Sequence, residues 1–127
     1  MTSNIILHAF NLFRNSTRDI GLTKRSGAWK TVEKHWLEEH PACEICGSET
    51  RLNVHHKLPF RSHPELELDL TNLITLCMSS RECHLLIAHG DAFKFYSKTI
   101  DADVKILQDD ISKFDQVAER AKANRVQ

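Results

Sequence analysis

Cys43-Glu-Ile-Cys46-Gly47, Leu52-Asn-Val-His55-His56-Lys57, Asn72-Leu-Ile-Thr-Leu-Cys77 and Cys83-His84 all lie between Pro41 and Gly90, and the fold is read from them. Leu52–Lys57 has strand character centred on Val54, and Pro59 stops it. Asn72–Cys77 reads as a second strand, largely buried. Cys43–Gly47 is a tight turn in which glycine relieves crowding after the second thiol. Two local thiol pairs suit one tetrahedral zinc ion, because paired ligands on knuckles place four sulfurs without long-range precision. A site closed by Cys43, Cys46, Cys77 and Cys83 has no open position, so its role is structural. It pins the first knuckle to the end of the second strand. Five residues, Met78 to Glu82, separate Cys77 from Cys83, a looser spacing than the usual two. Unrelated buried thiols are the alternative.

Adjacent residues on a strand point to opposite faces, so one histidine of the doublet can hold a metal while the other approaches water or substrate. His84 stands at the opening of an expected helix, with His89 farther along it. Strand–strand–helix folding brings that helix start across the strand bearing His55.

Working outward, residues 4–17 read as a short amphipathic helix with Ile6, Phe10 and Phe13 on one face. Asn15 to Gly27 is polar, basic and loop-like. Trp29, Val32, Trp36 and Leu37 recur at helical spacing, and this helix should end near His40 because Pro41 disfavours helical geometry in the residue before it. Residues 60–71 suit a long exposed connection. Leu85, Leu86, Ala88, Ala92, Phe93 and Tyr96 fit a helix weakened by Gly90. The last helix is expected over about 101–124, with Val104, Leu107, Ile111, Phe114, Ala118 and Ala121 forming a stripe that packs on the domain. The stripe is too short for a coiled-coil assignment. The expected fold is α+β: a β-hairpin plus helix, stapled by the four-cysteine site and flanked by N- and C-terminal helices.

A chain of 127 residues fits one domain, 1–127, with a core over about 25–98. Its net charge is zero, which neither requires nor excludes a nucleic-acid partner. The distribution is uneven. Residues 14–34 hold Arg14, Arg18, Lys24, Arg25, Lys30 and Lys34 against Asp19 and Glu33, whereas 101–115 hold five aspartates against Lys105 and Lys113. The basic third can face a phosphate backbone. Candidate phosphate-backbone contacts are Arg14, Arg18, Lys24, Arg25 and Lys30, with Lys57 and Arg61 beside the histidines. A solvated helix face is the competing explanation for either charge run. The apolar patch Ile5–Phe13 is interrupted by His8 and Asn11 with no basic residue before it, so no secretory signal is expected. Nothing approaches the ~18 apolar residues of a membrane span. A cytoplasmic, reducing setting favours thiolates on metal over disulfides.

Val54-His55-His56-Lys-Leu-Pro59, Pro64-Glu-Leu-Glu-Leu-Asp69, Asn72–Cys77 and Cys83-His84 together resemble the HNH endonucleases of the ββα-metal fold. Arg25-Ser-Gly-Ala-Trp29 and His40-Pro-Ala-Cys-Glu-Ile-Cys-Gly47 are similar to the small stand-alone members of phages and prophages. The likeness spans roughly 25–90. It implies that His55 and His84 bind a catalytic divalent ion, that His56 is the general base, and that Asn72 holds the loop orienting His56. His89 is a secondary candidate, since its His-Gly order reverses the usual one. The resemblance also implies DNA as substrate, a bacterial host, and terminase or packaging proteins as partners. Imidazole ligands suit nickel or zinc, magnesium prefers oxygen and manganese tolerates both, and magnesium or manganese is the expected working ion. A monomer is favoured over self-association. The alternative function is a non-catalytic zinc-knuckle module binding nucleic acid or protein.

Overall fold

A computed structural model of the chain describes residues 24–127. The expected helix over 4–17, with Arg14 and Arg18, lies outside the described residues. Strands β1 (Leu52–His56) and β2 (Leu73–Cys77) form an antiparallel hairpin in which Leu52 faces Cys77 and His56 faces Leu73. Every residue of β2 is buried. Both faces of the hairpin are covered, which is why β2 reads as an almost continuous apolar run. On one face Val54 and Leu73 pack with Ala28, Val32, Trp36 and Leu68. On the other, Ile74 and Leu76 join Ile87, Ile100, Val104, Leu107 and Phe114. Thr75 is the polar exception, and its hydroxyl is satisfied: it donates to the His40 carbonyl at 2.9 Å and accepts from Trp36 Nε1 at 3.0 Å.

Helix α1 spans Trp29–Glu39 and stops at His40, one residue before Pro41, as the sequence leads one to expect. The knuckle then turns at Gly47, whose φ of 79° is left-handed and suits a residue without Cβ. Glu44 docks the knuckle on the outer edge of β2: its N–H donates to Thr75 O at 3.0 Å, and its carboxylate accepts from Thr75 N at 3.1 Å.

Three expectations need correction. Residues 60–71 are not simply exposed, because Pro64, Glu67 and Leu68 are buried within two short 3-10 turns, Pro64–Leu66 and Leu70–Asn72. Leu68 fills the α1-side core, which draws the segment inward. The helix after Cys83 is a single wide, π-type turn, His84–Ala88, ending at Gly90 with φ 56°; a loop follows to Tyr96. The C-terminal helix is two helices, α2 (Ile100–Asp109) and α3 (Phe114–Ala123). Asp110 breaks it in extended geometry, and its carboxylate accepts from Ser112 N at 3.1 Å. The apolar stripe does pack on the domain: Val104, Leu107, Phe114 and Ala121 are buried, Ile111 and Ala118 are partly so, and Val117, outside the expected stripe, is buried with them. Among the described residues, no helix is long and apolar enough to cross a membrane.

Candidate metal centres

The four cysteines converge as free thiols, with their Sγ atoms all within 4.8 Å of one another. Cys46 and Cys77 sulfurs are 3.6 Å apart. A tetrahedron with ~2.3 Å metal–sulfur bonds has edges of about 3.8 Å, so the set fits one such ion. The long second spacer is accommodated because Met78 N donates to Arg51 O at 2.8 Å and Ser79 Oγ meets Ser48 Oγ at 2.8 Å. The loop thereby folds back over the knuckle, and Glu82 takes a φ of 50° to return Cys83 to the cluster. The Cys83 thiol raises its own pKa by hydrogen-bonding Cys43, and the same contact pulls Cys43 down towards thiolate.

A second cluster gathers around His55 of β1. His55, which is 3% exposed, faces the short helix, and its Nδ1 lies 3.2 Å from His84 Nε2. His89 Nε2 lies 3.2 Å from the same His84 nitrogen. The other ring nitrogens fix the tautomers. His84 Nδ1 sits 3.2 Å from Asn53 Oδ1, and His89 Nδ1 sits 2.6 Å from the Phe95 carbonyl. Oxygen acceptors require N–H at both Nδ1 atoms, so both Nε2 atoms carry lone pairs that face one another. A cation resolves that opposition, and outer N–H groups anchored on oxygens are what metal-bound histidines usually show. Ligand nitrogens about 2.1 Å from a metal would stand about 3.0–3.4 Å apart, which fits the observed spacing. Burial holds the His55 and His89 pKa values below the ordinary histidine range and that of His84 down to about 4, so the rings are neutral, as ligands must be. His55 Nε2 is buried with no hydrogen-bond partner among the described residues.

His56 points to the opposite face, against Trp29, with ring centroids 4.4 Å apart. Its Nε2 donates to the Glu67 carbonyl at 2.9 Å, which leaves Nδ1 as the basic nitrogen. Burial, with a smaller contribution from the Arg25 charge, lowers its pKa to about 4 against the opposing pull of that carbonyl. Asn72 Oδ1 accepts from Leu58 N at 2.9 Å, while Nδ2 donates to the Leu58 and Leu66 carbonyls at 3.1 and 3.3 Å. It thus closes the loop that delivers Glu67 to His56. A cleft of about 200 Å³ is lined by His55, His56, His84, His89, Arg25, Arg61 and aromatic residues including Phe60 and Phe93.

Residues 43–88 match the family model of the HNH endonucleases. That segment belongs to the HNH endonuclease family. The match supports a nuclease-type function in general, and the family implies metal dependence and DNA as substrate. The hairpin and following helical turn are the ββα-metal arrangement. No curated protein and no solved structure matches the chain.

The basic residues divide. Arg25 and Arg61 line the cleft of the histidines, while Lys24 and Lys30 are exposed. Lys57 instead pairs with Asp101 at 2.9 Å and lines a separate groove. Arg25 is anchored as well, donating to Glu67 at 3.1 Å and stacking over Phe60 at 4.5 Å. Glu67 is 1% exposed, and its other oxygen accepts from Ser26 N at 2.9 Å. Sequence reading overlooked Glu67, Asn53 and Trp29 as supports of the site. Asn53 had a usable signal, because a residue two before His55 on a strand shares its face.

Proposed function

We propose that this chain is a metal-dependent DNA endonuclease that hydrolyses phosphodiester bonds with limited sequence preference. The observation that carries the reading is the convergence of three imidazoles, with the His84 and His89 lone pairs facing one another and His55 Nδ1 beside them, in the cleft that His56 also lines. His55, His84 and His89 would hold one divalent ion, and Cys43, Cys46, Cys77 and Cys83 a structural zinc. This makes His89 a full ligand beside the two that the resemblance implied. A bound divalent ion would supply Lewis acidity to the scissile phosphate and its leaving group.

The chain's own residues do the rest. His56, held as the Nε2–H tautomer by Glu67 O, takes a proton from the attacking water at Nδ1. Asn72 holds the loop that fixes this tautomer. Arg61 and Arg25 place positive charge along the cleft, where contacts to phosphate position DNA without reading its sequence. A role in phage genome packaging rests on the family resemblance alone.

The test is cleavage of supercoiled plasmid by zinc-loaded protein across magnesium, manganese, nickel and cobalt, with His56→Ala beside wild type. Nicked or linear product from wild type, and a fall of about 100-fold or more in the variant, is expected. Equal cutting by His56→Ala would remove the base from this scheme. Absence of cutting with every ion, together with retained DNA binding, would favour the non-catalytic zinc-knuckle module.

A further inference from the structure

The third histidine stands just outside the segment that matches the family, and what aims it comes from the far C-terminus. His89 Nδ1 donates to the carbonyl of Phe95 at 2.6 Å. That carbonyl belongs to the same planar peptide unit as the N–H of Tyr96. The Tyr96 N–H donates to Val126 O at 2.8 Å, and Val126 N returns a bond to Tyr96 O at 2.9 Å. One rigid peptide is therefore held between His89 and the last residues of the described chain.

Arg125 grips the same loop at two further points. Its guanidinium donates to Gly90 O at 2.7 Å and lies over the Phe95 ring at 4.2 Å. The contact is close: a Cβ on Gly90 would meet Ala121 O at 2.9 Å and Arg125 Cβ at 3.0 Å. A flanking ion pair, Lys122 with Asp91 at 3.8 Å, ties α3 to the same turn.

We propose that Arg125 and Val126 are positioning residues of the histidine site, clamping Gly90 and the Phe95–Tyr96 peptide so that His89 Nε2 faces His55 and His84. The C-terminal helices are then part of the metal centre's support. This inference rests on the three-histidine ion site proposed above. Outer-sphere partners of metal-bound histidines typically change affinity by about 10–100-fold when lost, and the low end applies to a residue acting through one peptide.

The experiment titrates cobalt into the zinc-loaded full chain, following its visible absorption, for wild type, Arg125→Ala, Arg125→Lys, Val126→Pro, His89→Ala and the double variant His89→Ala with Arg125→Ala. Melting is recorded without cobalt for each. Arg125→Ala and Val126→Pro should weaken cobalt binding about tenfold. Arg125→Lys should recover part of the loss. Arg125→Ala should add nothing in a His89→Ala background, because its effect passes through that ring. Wild-type affinity in both clamp variants, or an equal loss with and without His89, would overturn the proposal. Failure of wild type to bind any cobalt beyond its zinc would instead overturn the histidine site itself.

Discussion

Each polar atom of the Asn72 side chain closes the same loop, and the residue is 6% exposed. Replacement by alanine leaves the Leu58 N–H and two carbonyls without their partner. A loss of about 2 kcal/mol is expected, read as a lower urea midpoint at unchanged slope. Cleavage should also fall at temperatures where Asn72→Ala remains folded, because the neighbouring Glu67 carbonyl holds His56. Unchanged activity in the folded variant would detach Asn72 from the site. At this scale the two metal-type clusters were legible, since cysteine and histidine carry their chemistry wherever the chain puts them. Glu67 was not. A glutamate in a polar run reads as exposed, and its burial arises from Ser26 N–H and the Arg25 guanidinium, which approach from a remote segment.

Among the elements, the hairpin and α1 were legible because periodicity and Pro41 mark them locally. The two misread helices failed for opposite reasons. After Ala88 the apolar spacing continues, but Gly90 takes a left-handed φ of 56° that directs the chain away from a helix. At Asp110 the signal was present, an aspartate two residues before Ser112, and the apolar stripe running through it concealed the break. Gly90 offers a test of that scale. Gly90→Ala combines a disfavoured φ with a Cβ within 2.9 Å of Ala121 O. Destabilisation beyond about 2 kcal/mol is expected in chemical denaturation, more than the ~1–2 kcal/mol that left-handed backbone strain alone supplies. A neutral result would mean that α3 and the turn separate easily, and would weaken the case that α3 supports the site.

Across the whole molecule, the two clusters differ in what depends on them. The sulfurs of Cys43, Cys77 and Cys83 lie inside the same apolar core as Ile74, Leu76, Ile87, Leu107 and Phe114, joining the knuckle, the hairpin and the short helix. Structural zinc sites contribute about 10–16 kcal/mol, while a domain of ordinary stability has only about 5–15 kcal/mol in total. Removal of an ion from the sulfur site should therefore unfold the protein. The histidines line an open cleft beside that core, so loss of an ion from them should leave the core packing in place. Chelation should accordingly proceed in two stages. A mild chelator strips the histidine site first, abolishing cleavage while circular dichroism and melting remain nearly native. A strong chelator then empties the sulfur site, and secondary structure disappears in the same step. Manganese added after the first stage should restore cutting; after the second, zinc must come first. If a single stage removed both ions with the fold intact, the sulfur cluster would not be the staple that holds the knuckle and β2 against the short helix.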